Sequence, residues 1–372
     1  MHRWRTFFSG FDFALVMPVL GLTLMGLVTM YSHVGDNVFF NKQIIWIVAA
    51  FFIMLLAAVP DYRSLRAGNT IFYFFLGTVA ALILVLFIGE ITLGAQSRFN
   101  FGFFSLQPSD PAKVVLILVL AKYFAKRHEQ IGDFKHIIIS GIYAVGIFGL
   151  VFIQPDFGSA AILFLVWFGM VLVSGIKLRH LLTVFMLGIV TFAAMWQFVF
   201  FDYQKARIMT FLNPLADIQG SGYNAYQSTV AIGSGGLLGK GVGYGTQSKL
   251  LFLPEYETDF IFAAYAEEWG LLGVMLLFVL FSIVVWRLLY HANNSATNFE
   301  RLFASGVAIL FVAHFFIHIG MNIGLLPVTG TTIPFLSYGG SHLITELVAI
   351  GMVMGMSRYT QKRYEATDLL EA

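Results

Sequence analysis

Apolar residues run in long blocks from one end of the chain to the other, broken by short polar segments. The blocks fall at roughly 12–32, 43–59, 70–89, 111–126, 136–153, 157–175, 179–200, 260–290, 302–325 and 341–357. Crossing about 30 Å of hydrocarbon takes about 20 predominantly apolar residues in a helix. The pattern therefore predicts an all-α polytopic membrane protein with about ten transmembrane helices. Between the seventh and eighth blocks lies one long segment, 201–259, rich in Tyr, Phe, Leu, Asn and Gln and dense in glycine from Gly220 to Gly245. Loops of that length are uncommon unless functional or disordered. Its mixed composition predicts an ordered loop folded back on the bundle. The chain divides accordingly into helices 1–7 (1–200), the large loop (201–259) and helices 8–10 with a short tail (260–372). No internal repeat is visible, so the inverted-repeat plan of many transporters has no support.

Charge adds an orientation. With the N-terminus inside, about 15 of the 22 Lys and Arg residues fall on inner segments, including Arg63, Arg66, Lys122, Lys126, Arg287 and Arg301. Most of the others lie in or near the long loop. The positive-inside rule then places both termini in the cytoplasm and 201–259 outside. The first apolar block follows Met1-His-Arg-Trp-Arg, is longer than a signal-peptide core and is followed by no small-residue cleavage site, so it is expected to be a retained anchor.

Only 11% of the 372 residues are charged and 58% are hydrophobic, against about 25% charged in soluble domains. The absence of Cys excludes disulfides and thiolate metal sites. Nothing in the charge pattern points to nucleic acid.

Four polar segments on the expected outer side carry candidate chemistry. The first, GAQSRFNFGFFSLQPSDPAK (94–113), brings Gln107, Ser109, Asp110 and Lys113 to the mouth of the fourth span. Ser109 or Asp110 is a candidate cap, and Asp110 and Lys113, three apart, share a helix face. The second, QPDFGSA (154–160), offers Asp156 as a helix cap or as a site residue. The third is the long loop, holding Arg207, Lys240 and Lys249 and ending in FLPEYETDFIFAAYAEEWG. Its glycines match neither a P-loop nor a dinucleotide fingerprint. They suit close backbone packing or N–H groups wrapped round an anion. Asp259 stands where an apolar helix begins, with Thr258 as an alternative cap, and Glu255 and Glu257 precede it in solvent. Glu267 and Glu268, two turns in, are costly without a partner, and one of them is expected to face the cavity and pair with a basic group. The fourth, NIGLLPVTGTTIPFLSYGGSHL (322–343), holds Ser337. Non-helical backbone near a membrane must be satisfied by protein or a water-filled cavity, so the four segments are expected to converge on one pocket. His314 and His318 lie one turn apart, a spacing used for metal ligands; lacking further ligands, they are expected to hydrogen-bond between helices.

At these residues the chain resembles the SEDS family, the RodA and FtsW proteins of bacterial cell-wall synthesis. QPSDPAK is similar to the family's QPSE-x-x-K; QPDFGSA, GSGG, FLPEYETDFIFA, AEEWG, GLLPVTG and PFLSYGGS follow in the family's order over nearly the whole chain. The short tail and the Ala-Glu-Glu after Asp259 look more like RodA, the elongation member. The resemblance implies an inverting peptidoglycan glycosyltransferase of the bacterial cytoplasmic membrane that polymerises lipid II. It implies Asp259 as the catalytic acidic residue. Arg207, Lys113, Asp110, Lys240, Lys249, Gln107, Asp156 and Ser337 are candidates for substrate binding, the first three by the family's motifs. A divalent cation, Mg or Mn, is implied by the resemblance alone, as are a class B penicillin-binding protein as transpeptidase partner and other elongation-complex membrane proteins. Asp110 replaces the family's usual Glu, the usual Arg-Trp pair is Ser97-Arg98, His318 replaces an Asn, and His342 and Glu346 add polar groups to the last span. A lipid flippase or transporter, another lipid-linked sugar polymerase and a silent scaffold are the competing readings.

Overall fold

The computed structural model describes residues 11–31, 38–92, 95–102, 104–127, 133–198, 200, 202–212, 222–250 and 252–371. The ten apolar blocks become ten helices. In order they are α1 (Phe13–Tyr31), α2 (Val38–Ala57), the short α3 (Arg63–Ala67) and α4 (Thr70–Ile88). Then come strands β1 (Glu90–Thr92), β2 (Ala95–Asn100) and β3 (Ser105–Leu106), followed by α5 (Ser109–Ala125), α6 (Phe134–Ile153), α7 (Phe157–Val173) and α8 (Leu178–Phe198). The long loop contributes α9 (Asp202–Leu212), α10 (Tyr223–Ser234) and the single turn α11 (Thr246–Lys249); α12 (Ile261–Asn293), α13 (Asn298–Asn322) and α14 (Gly340–Glu371) complete the chain. The three strands form a small antiparallel sheet in the order β1-β2-β3, an addition to the all-α expectation that pairs backbone groups leading into α5.

Polarity sorts the helices into layers. α4 has the highest mean hydropathy of the long helices, 2.8, and little of it is covered by protein, whereas α13 is largely enclosed. α5 is buried along almost its whole length. The enclosed helices carry Asp110, Lys113, His314 and His318, which are expensive in hydrocarbon and so turn toward other helices. The peripheral helices expose mainly Leu, Ile, Val and Phe, the surface that a hydrocarbon environment requires. The resulting core runs between α5, α7, α13 and α14 through residues such as Leu116, Phe124, Leu163, Phe303, Phe311 and Leu347.

α12 departs from one expectation. At 33 residues it would rise about 50 Å, more than a hydrocarbon core. It is interrupted at Gly270, whose backbone (φ 62°, ψ −165°) is not helical. Residues 261–269, read from sequence as the start of one continuous span, pack with the long loop; the helix after the break runs on to Asn293. The Tyr265 hydroxyl donates across the break to the Gly273 carbonyl at 2.9 Å. At the other end of α12, Asp12 Oδ2 accepts from Arg287 Nη2 at 2.8 Å and lies 2.7 Å from His291 Nε2. Ser357 Oγ is 2.8 Å from the second ring nitrogen of His291. α1, α12 and α14 are thus tied at the end of the bundle away from the polar segments.

Candidate active site

Asp259 ends an irregular turn just before α12. Asp259 is half-buried, and Phe260, not Asp259, holds the cap position of the helix. The turn is held by its backbone. Tyr338 N donates to the Glu257 carbonyl at 2.8 Å, and Ser337 Oγ donates to the Thr258 carbonyl at 2.9 Å. Asn322 Nδ2, at the end of α13, donates to the Asp259 carbonyl at 3.0 Å. Three consecutive carbonyls are therefore fixed from two directions. A Cβ placed on Gly330 would stand 3.4 Å from Asp259 Oδ2, so the 323–339 connection passes directly against the carboxylate. Glu257, expected in solvent, is half-buried; burial raises its carboxyl above the ordinary range, and the Tyr256 hydroxyl offsets this only in part.

A second polar group gathers at the start of α5. Neither Ser109 nor Asp110 caps that helix. Asp110 Oδ1 instead takes a 3.1 Å bond from Lys113 Nζ, with both side chains buried. The shared helix face read from their spacing is thus a buried ion pair. Gln107 Nε2 donates to Asp156 Oδ2 at 2.8 Å, and Asp156 Oδ1 accepts from Ser159 N at 3.0 Å, capping α7. Gln107 N reaches Ser341 Oγ at 3.3 Å. Three candidates for substrate binding, Gln107, Asp156 and Ser337, thus have partners within the protein and build its frame. His314 and His318 do not bond between helices as expected. Their Nδ1 atoms lie 3.2 and 2.7 Å from the carbonyls of Thr332 and Thr331, in the 323–339 connection.

The glycine-rich loop answers to both of its sequence readings. At Gly239 (φ 79°) a Cβ would lie 2.1 Å from the Glu268 carbonyl, and at Gly270 a Cβ would lie 2.2 Å from Gly239 N. The loop lies flat on the break in α12, and Lys240 N and Gly241 N donate to the carbonyls of Glu267 and Glu268 at 3.0 Å each. Its N–H groups do wrap an anion, and that anion is Glu267. This carboxylate is fully buried. Its Oε1 accepts from Lys240 Nζ at 2.7 Å, Thr246 N at 2.9 Å, Thr246 Oγ1 at 3.0 Å and Gln247 N at 3.1 Å. Glu268 Oε1 accepts from Gly243 N at 3.1 Å. The basic partner expected for the Glu267-Glu268 pair is Lys240, which is thereby committed to holding the loop. Lys249 is exposed and donates to the Gly243 carbonyl at 3.3 Å. The side chain of Arg207, on α9, lies outside the described residues.

The four polar segments therefore do meet, through Gln107–Asp156, Gln107–Ser341, Ser337–Thr258 and Tyr338–Glu257. Sequence reading missed Asn322, whose signal was an amide at the end of an otherwise apolar helix. It missed also the break at Gly270, whose signal was a glycine directly after Glu267-Glu268-Trp269. Among the described residues no group of three or more His, Asp or Glu could hold a metal ion, so these side chains do not form a cation cage of their own.

Fold and site together define a polytopic membrane protein with its polar chemistry gathered at one end of the helix bundle. A family model described as cell cycle protein, FtsW/RodA/SpoVE, matches residues 5–362. The chain belongs to this family, the SEDS proteins. It is 33% identical over 364 residues to stage V sporulation protein E of Bacillus subtilis (strain 168), covering 94% of this chain and 98% of the relative. It is 35% identical over 349 residues to the peptidoglycan glycosyltransferase MrdB of Escherichia coli (strain K12), covering 93% of each. Among solved structures, a chain from a study of the structural coordination of polymerization and crosslinking by a peptidoglycan synthase complex matches with a TM-score of 0.81 at 29% identity, covering 94% of this chain and 98% of that one. The rod shape determining protein RodA of Thermus thermophilus matches with a TM-score of 0.71 at 28% identity, covering 94% and 97%.

Proposed function

We propose that this chain is a peptidoglycan glycosyltransferase that polymerises lipid II into glycan strands at the outer face of the cytoplasmic membrane, with Asp259 as general base. The observation that carries the assignment is the three-carbonyl clamp on residues 257–259, which holds one carboxylate where the polar segments meet. The donor sugar of lipid II is α-linked to diphosphate and the glycan is β-linked, so one displacement with inversion suffices, as in inverting glycosidases. The acceptor hydroxyl attacks the anomeric carbon while its proton passes to the Asp259 carboxylate. The C–O bond to the diphosphate breaks, and undecaprenyl diphosphate leaves with the electron pair. An ordinary Asp is a weak base, with a pKa near 3.9, so its contribution depends on being held within hydrogen-bond reach of the hydroxyl.

The diphosphate needs cations. Lys113 has three N–H donors, of which the bond to Asp110 uses one. Arg207 supplies a planar two-point grip. A divalent cation would take its ligands chiefly from the diphosphate, and no step here depends on it. The protein serves cell elongation and shape alongside a class B penicillin-binding protein and other membrane proteins of that machinery; the similar structure of a complex coordinating polymerization and crosslinking supports such a partner.

Purified protein given labelled lipid II should yield a ladder of glycan products on a gel; no ladder with active lipid II rejects the reading. Arg207→Ala should cut lipid II use strongly without unfolding the protein. Arg207→Lys should rescue only part, because the two-point grip is lost; full activity in Arg207→Ala removes this residue from the site.

Orientation has its own test, helped by the absence of Cys. Thr229 and Ser64 are both exposed. A Thr229→Cys variant should react with an impermeant thiol reagent in intact spheroplasts, and a Ser64→Cys variant only after lysis. The reverse result would put the site on the cytoplasmic side.

A further inference from the structure

His342 and Glu346 stand one turn apart on α14, both buried, and the proposed chemistry uses neither. His342 Nδ1 lies 3.6 Å from Asp110 Oδ1, and its Nε2 lies 2.9 Å from Glu346 Oε1. Glu346 Oε2 accepts the backbone N–H of Phe335 at 3.0 Å. Phe335 has φ 65°, the left-handed region that bulky side chains seldom occupy. Its ring is locked edge-on against Phe311 at 5.0 Å. Two and three residues later, Ser337 and Tyr338 make the bonds that fix the Thr258 and Glu257 carbonyls. Close approaches therefore link Lys113 and Asp110, through His342 at 3.6 Å and Glu346 at 2.9 Å, to the Phe335 turn and the backbone that presents Asp259.

We propose that Glu346 and His342 are positioning residues for the glycosyl transfer: Glu346 holds the strained Phe335 turn that clamps the Asp259 backbone, and His342 ties that hold to the Asp110–Lys113 pair. The role of Glu346 is specific. Only an acceptor at that place on α14 meets the Phe335 N–H, and a strained turn persists only where its surroundings over-determine it. The surroundings fit too. The groups around His342 are Asp110 from α5, itself paired with Lys113, His314 from α13 with ring centroids 4.9 Å apart, His318 one turn further along α13, and Glu346 from its own helix. Two carboxyl groups and one amine meet beside the imidazole, and polar groups buried in a membrane persist where they are paired.

The inference rests on Asp259 as base, so the test runs Asp259→Asn beside it. Full-length purified protein and labelled lipid II are used to obtain kcat and KM. Glu346→Leu should lower kcat by roughly 10²-fold with KM within about twofold, the loss expected when a reacting group is misplaced by about 1 Å. Glu346→Gln keeps an oxygen for the Phe335 N–H and should recover at least about tenfold of that loss. His342→Gln should fall between the two, and adding it to Glu346→Leu should cost little more, because both act through one contact path. A general packing role would instead lower activity in step with the folded fraction, with no rescue by Gln. That result, or a kcat for Glu346→Leu within about twofold of the parent, overturns the inference. If Glu346→Leu does not fold, an unchanged kcat in His342→Gln overturns it. Inactive Asp259→Asn beside a normal Glu346→Leu rejects this inference alone; active Asp259→Asn rejects the reading beneath it.

Discussion

Asp259→Asn should reduce lipid II polymerisation by roughly 10²–10⁴-fold, the range for losing a general base, while the protein stays folded and binds lipid II as before. The substitution keeps the size of the side chain and removes its basicity. The backbone bonds that hold the turn, from Asn322, Ser337 and Tyr338, do not involve the carboxylate, so they survive. The cap position of α12 belongs to Phe260, not Asp259, and Asn keeps one acceptor oxygen of the Asp side chain. Glycan ladders, a thermal melt and a lipid II binding measurement on the same preparation read the three quantities apart. Near-normal ladders would end the assignment, and so would an activity loss matched by lost binding or a lost melt.

Glu267→Ala should be the most damaging change to stability among the site's neighbours. One oxygen of this fully buried carboxylate receives Lys240, two backbone amides and a hydroxyl. Removing one partner of a buried charge pair costs about 3–5 kcal/mol. The Lys240 ammonium, 28% exposed, escapes part of that by turning to water, whereas the amides of Thr246 and Gln247 stay without an acceptor. Glu267→Gln keeps an acceptor oxygen and should lose less; Lys240→Met should lose least. A thermal melt in detergent, with limited proteolysis of residues 236–250, checks the order. An unchanged melt for Glu267→Ala would mean that the loop is held by its backbone contacts with α12 alone. Activity should fall with stability in this series and leave KM for lipid II unmoved in Lys240→Met. Lysine acting directly on diphosphate would give the opposite pattern.

The sequence by itself determined the helices. Membrane spans are legible because the bilayer imposes one rule at every position: about 20 apolar residues, with every backbone group satisfied inside the segment. That rule is local, and the ten blocks became ten helices. The motif residues were legible too, since the spacing of Asp110 and Lys113 sets a shared helix face before any fold exists. What each polar side chain touches was decided only by tertiary structure. Lys240 and Arg207 look alike in the sequence, as loop cations awaiting an anion; burial of Glu267 beneath the glycine-rich loop claims Lys240. Gln107, Asp156 and Ser337 read as candidate ligand-binding groups, and only the fold shows that each also bonds to another polar segment. Asn322 and Glu346 drew no role because their partners, the carbonyl of Asp259 and the N–H of Phe335, are backbone atoms that no side-chain pattern displays. The break at Gly270 was hidden because one helical segment runs up to it and a long apolar run follows it; only the approach of Gly239 to within contact of the backbone shows why a glycine is needed there. A hydrocarbon environment acts on each segment separately. The partners of buried polar groups depend on which segments meet, and that is set by packing between residues as far apart as Gln107 and Ser341.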